Sequence, residues 1–179
     1  MAASRYRRFT LKTIFVATAV VAILLALFIP SVKQQWLAYQ LSRYDVSAVM
    51  FDPDGDITWL AIRRTGQLRQ LLEDFDCSHI ESLDLTRSQV DTSIATLNQF
   101  DSLHELSLSN STLDDQLALT MVGVTAEVLC VSDTKLTANG LTSILDANYI
   151  RTVDAQGTII NRQEAEDLSE KYSVVILVD

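Results

Sequence analysis

The chain has 179 residues, enough for one domain and a short appendage, and its 48% hydrophobic content excludes a generally disordered polymer. The formal net charge of -9 conceals a split: the only charges in the first 30 residues are Arg5, Arg7, Arg8 and Lys12, while the rest sets 23 acids against 10 Lys and Arg, a balance of -13. So acidic a body repels phosphate backbones, and no nucleic-acid partner is expected.

Residues 1–12 read as a basic cytoplasmic tail and 13–30 as a transmembrane anchor. Residues 13–29, TIFVATAVVAILLALFI, are 17 consecutive uncharged residues. At about 1.5 Å each they reach roughly 26 Å as a helix, near the lower limit for a span. A cleaved signal peptide would need small residues at -3 and -1 before the cut, and LFIPSV offers no such pair. The basic flank precedes the run and only Lys33 and Arg43 closely follow it. The positive-inside rule therefore predicts a single-pass membrane protein with a cytoplasmic N-terminus and an exported body. Trp36 and Tyr39 suit the membrane interface. Thr18, Ala22 and Ala26 form a small-residue stripe that would let two such helices meet, so a homodimer is one expected state.

Residues 31–58 are expected to form a juxtamembrane helix and an N-terminal cap. SVKQQWLAYQLSRY, 31–44, reads as a short helix entered through Ser31 after Pro30, with Leu37, Leu41 and Tyr44 on one face. VSAVMF and ITWLAI around DPDGD predict a β-hairpin, Gly55 supplying the left-handed residue. Asp52, Asp54 and Asp56 resemble the start of a calcium loop, but Ile57 stands where the glycine is needed and Arg63 where the bidentate Glu belongs. No metal or other cofactor is expected.

From 59 to 179 the chain repeats, in four to five units of 23–24 residues. An inner apolar pair recurs as Leu60/Ile62, Leu83/Leu85, Leu106/Leu108, Leu129/Val131 and Val153/Ala155. Three residues later comes Thr65, Ser88, Ser111, Thr134 or Thr158. Val90, Leu113, Leu136 or Ile160 follows, Gln67 being the miss. Then comes a helix N-cap type: Asp91, Asp114, Thr137 or Asn161. This period with L-x-L strands predicts an α/β fold: a short leucine-rich-repeat solenoid, parallel strands on one face and helices on the other. GQLRQLLEDF, 66–75, is the first expected helix. The hydroxyl column should satisfy turn backbone groups. Residues 174–178, VVILV, read as a last strand. It lacks polar alternation, so either both faces are covered or one awaits a partner. Cys77 and Cys130 fall at different repeat phases, which argues against a disulfide between them.

With anchor, hairpin and repeats in place, the chain resembles a bacterial family of membrane-anchored leucine-rich-repeat proteins. RRFTLKTIFVATAVVAILLAL is similar to that family's basic-Phe-x-Leu-Arg/Lys-Thr start and apolar span. DTKLTANGLTSIL resembles its Thr-x-Val/Ile-Thr-Asp-x-Gly-Leu core through Thr134, Leu136, Thr137, Gly140 and Leu141, with departures at Ala138 and Asn139. The resemblance implies a fold, a location in the bacterial inner membrane and protein partners, but no catalytic residue.

No catalytic constellation is found. His79 and His104 lack Cys or His partners at metal spacing, and no nucleophile elbow or phosphate loop occurs. The chain is therefore read as no enzyme but a membrane-tethered module for a protein or peptide partner. The alternative is an envelope structural or assembly protein acting by self-association. The candidate partner face is the outward strand side chains Asp84, Thr86, Glu105, Ser107, Ser109, Cys130, Ser132, Asp154 and Gln156.

Overall fold

The computed structural model describes residues 11–179, with the side chains of 11–17 and 23–27 outside that description. It is an α/β molecule built on one seven-stranded sheet, whose strand order is the order of the chain. The strands are β1 (Val46–Phe51), β2 (Ile57–Ile62), β3 (Ser82–Asp84), β4 (Leu103–Ser107), β5 (Thr125–Cys130), β6 (Tyr149–Asp154) and β7 (Val175–Leu177). β1 and β2 are the expected antiparallel hairpin, and every later pairing is parallel.

Register follows the sequence alignment. Leu60, Leu83, Leu106, Leu129, Val153 and Ile176 are successive Cα partners across β2–β7. All but the half-buried Ile176 are almost wholly buried. A further inner column precedes them: Ile57, Ile80, Leu103, Ala126 and Ile150, all buried. Two outward residues separate this column from the next, so simple alternation does not predict it. At β4 the amides of His104 and Glu105 both donate to the Glu81 carbonyl, at 2.6 and 3.2 Å.

β3, β4, β5 and β6 each leave the sheet through a turn with a left-handed residue: Arg87, Asn110, Asp133 and Gly157 have φ of 57°, 57°, 55° and 67°. Asn, Asp and Gly suit that region and Arg does not, so only at Arg87 does position override residue identity. The hydroxyl column follows at once. Thr134 Oγ1 donates to the Val131 carbonyl at 2.7 Å and Thr158 Oγ1 to that of Ala155 at 2.6 Å. Thr65 instead reaches the next unit: its hydroxyl donates to Asp91 Oδ1 and accepts from the Asp91 amide, both at 2.9 Å. Ser88 is the exception, its buried hydroxyl having no hydrogen-bond partner.

The other side of the sheet carries a 3-10 turn (Thr65–Gln67) running into α2 (Leu68–Asp74), a 3-10 helix (Thr92–Gln99), α3 (Asp115–Ala118), α4 (Ala138–Ala147) and α5 (Arg162–Tyr172). The four expected N-caps all cap. Asp91 accepts from the Ser93 amide, Asp114 from Leu117, Thr137 from Asn139 and Gly140, and Asn161 forms a capping box with Glu164. Gly140 has a further reason. A Cβ there would lie 2.2 Å from Asp115 Oδ1, whose carboxylate receives the Thr137 amide at 2.9 Å and hydroxyl at 2.7 Å. The glycine makes room for a clasp between α3 and α4.

At the N-terminal end the structure departs from expectation. The helix predicted to start at Ser31 is the continuation of α1, one helix over Leu11–Leu41 with Pro30 inside it. Proline removes one helical hydrogen bond and is normally costly there. Here the turn between β1 and β2 packs against that point. A Cβ on Gly55 (φ +84°) would lie 3.3 Å from the Pro30 carbonyl oxygen, Lys33 Nζ meets Asp56 Oδ1 at 2.6 Å, and Gln34 Nε2 donates to the Asp52 carbonyl at 3.2 Å. Leu41 and Tyr44 are buried, the Tyr44 hydroxyl donates to Asp74, and its ring meets Phe75 edge-on at 5.5 Å. The basic tail lies mostly outside the described residues, as do most side chains of the run 13–29, Ala26 of the small-residue stripe among them. Among the described residues no helix is long and apolar enough to cross a membrane.

Two outcomes follow. Leu108→Ala, at a wholly buried position, should cost about 2–5 kcal/mol in chemical denaturation; a loss below about 0.5 kcal/mol would contradict the inner register. Gly140→Ala should destabilise by about 1–3 kcal/mol despite alanine's better helix propensity. Much of that loss should vanish when Asp115→Ala is already present, a coupling that a double-mutant cycle reads directly.

Candidate functional site

The outward strand residues stand in rows because the strands are in register. One row runs Trp59, Ser82, Glu105, Val128, Thr152, Val175, and the next Ala61, Asp84, Ser107, Cys130, Asp154, Leu177. Beyond the strand ends the ladder continues through backbone bonds. Arg87 N donates to Ser109 O at 2.9 Å, Asn110 N to Ser132 O at 2.8 Å, and Asp133 N to Gln156 O at 2.9 Å. These bonds carry the sequence of Thr86, Ser109, Ser132 and Gln156 alongside the two rows. The structure thus brings all nine candidate residues onto one continuous surface. Glu105 and Gln156 are exposed and the other seven half-buried.

Hydrogen bonds hold much of this surface. Asp84 Oδ1 accepts from the Thr86 amide at 2.8 Å and Asp154 Oδ1 from that of Gln156 at 3.2 Å. The hydroxyls of Thr86 and Ser107 lie 2.8 Å apart. Burial, then the charges of Glu105 and Asp154, push the Cys130 thiol up to about 11. It is a neutral thiol at physiological pH and a poor nucleophile. Burial likewise pushes Cys77 up to about 12, and both cysteines are free.

Both rims of the surface escaped the sequence reading. At the strand-start rim, Glu127 receives His104 Nδ1 at 2.9 Å and Arg151 Nη1 at 3.1 Å. His104, Glu127 and Arg151 stand 23 and 24 residues apart, the spacing of the inner columns, and that spacing was the available signal. Exposed pairs of this kind contribute little to stability. At the other rim, a groove of about 270 Å³ lies near the β1–β3 end, with Arg63, Asp84, Thr86 and Arg87 in its wall. Arg63 and Arg87 make no ion pair among the described residues, in a molecule rich in acids. Trp59, half-buried, is on β2 two positions before Ala61, which lines the groove.

No protein-family model and no curated protein matches this chain. Among the described residues no group of three or more His, Cys, Asp or Glu is placed to hold a metal ion. In the hairpin turn Asp52 accepts the Asp56 amide at 2.8 Å and Asp56 pairs with Lys33, so both carboxylates serve the turn and its junction with α1.

Proposed function

We propose that the chain is a membrane-tethered leucine-rich-repeat solenoid that binds a protein or peptide on its strand face. The observation that carries this reading is the in-register surface itself: rows of outward side chains, largely polar from β3 to β6, with Trp59, Arg63 and Arg87 at one end. Trp and Arg are the types that concentrate binding energy, and the acidic middle of the face lacks them. A partner with acidic groups opposite Arg63 and Arg87 fits best, because among the described residues neither guanidinium group is in an ion pair. Binding rather than catalysis agrees with a surface whose thiol is neutral and whose Asp84 and Asp154 carboxylates accept backbone amides. The tether is the uncharged run at 13–29, with the N-terminus in the cytoplasm and the solenoid exported.

Capture with residues 31–179, which keep the buried Leu41 and Tyr44, tests the binding surface. The pair Arg63→Glu and Arg87→Glu should lower capture of a specific partner about tenfold or more, the equivalent of about 1.4 kcal/mol. One feature favours self-association as a second reading. Among the described residues β7 pairs only with β6, and its Val175 and Leu177 are 57% and 47% exposed. If Val175→Lys with Leu177→Lys abolishes association and the arginine variants do not, assembly is the function. Topology is separately testable: an alkaline phosphatase fusion after Asp179 should be active, and activity confined to a cytoplasmic reporter contradicts export.

A further inference from the structure

The described part of α1 has two faces of opposite character. At roughly 100° per residue, Pro30, Lys33, Gln34 and Leu41 fall on one side, the side held by the β1–β2 turn and the core. Phe28, Ile29, Val32, Trp36 and Tyr39 fall on the other, and they are 58–65% exposed. The first four of these, with the stem of Lys33, bound an open apolar hollow of about 500 Å³. Scattered apolar side chains are normal on a surface, but an unbroken stripe over three helical turns, with two aromatic rings at one end, marks something that covers it.

We infer that this stripe lies against lipid, with α1 fixed by its opposite face to the hairpin, so that the folded body rests directly on the bilayer surface. This rests on the membrane tether proposed above and adds where the bilayer ends and which side of the helix meets it. Three observations choose lipid as the occupant. The stripe continues, on one unbroken helix, the uncharged run 13–29. Its residues change along the axis from Phe, Ile and Val to Trp and Tyr, the order found from hydrocarbon to headgroups. Lys33 stands beside the hollow, where an ammonium can reach lipid phosphate or Asp56 while its stem lies on apolar surface.

The chain has two tryptophans, one on the stripe and one on the sheet, which makes the test direct. Full-length protein carrying Trp59→Phe is reconstituted in vesicles of phosphatidylcholine and phosphatidylglycerol, with and without brominated phosphatidylcholine. Trp36 should emit to the blue of a water-exposed indole, lose roughly half or more of its emission to the brominated lipid, and be little affected by iodide. The reciprocal Trp36→Phe protein, reporting Trp59, should show no loss to brominated lipid. Vesicle-bound protein whose Trp36 is quenched by iodide but not by brominated lipid overturns the inference and leaves the tether standing. Trp36 shielded from both, with Val32→Cys cross-linking between chains, also overturns it, in favour of a second copy on the stripe. Protein that fails to float with vesicles overturns the tether itself, and this inference with it.

Discussion

A strand of three to six residues has an apolar face to cover and two edges to pair, and in this molecule the neighbouring unit meets both needs at once. The carbonyls and amides of β3, for example, are taken up by β2 and β4, while Leu83 packs between Leu60 and Leu106 in the same register. Neither requirement is met within a single unit. Every other regularity depends on this. The outward rows, the line of left-handed turns and the string of N-caps are each a local detail copied along the sheet because the inner column holds its phase.

The helical side uses a different glue. Thr65 with Asp91, and Thr137 with Asp115, are hydroxyl–carboxylate clasps between consecutive units. They lie between short helices of one to three turns whose apolar residues share one buried core. Gly140 fits the same scheme, since the space a methyl group would fill is taken by the Asp115 carboxylate. The motif at Thr137–Gly140 is thus a joint between units as well as a helix start.

What could be read in the sequence was what residue type determines locally. Asp91, Asp114, Thr137 and Asn161 are good cap residues wherever they stand, and each caps. The hairpin was legible for the same reason, through Pro53, Asp54 and Gly55. The outward rows could be derived from strand alternation once the inner pairs were aligned. What escaped was set by contacts distant in sequence. Pro30 reads as a stop, yet a turn some 25 residues later braces the helix across it. Arg87 gives no hint of a left-handed backbone, and the column from Ile57 to Ile150 breaks simple alternation. The groove at Arg63 and Arg87 depends on where β1 folds back, which composition does not reveal. Ser88 belongs to the hydroxyl column by sequence, but nothing in the structure explains its unpaired hydroxyl.

A sheet whose spatial order is its chain order has a mechanical character. Tension applied between the helix end and Asp179 would meet, among the described residues, no strand that crosses back to bind distant strands together. β7 would peel from β6, then β6 from β5, each step breaking one set of ladder bonds. The load would thus be spread over a series of small yields instead of one large rupture. The hairpin would be the last to give, because β1 runs antiparallel to β2 and is braced by α1. A body built this way lengthens by increments under strain and stays fastened at its root.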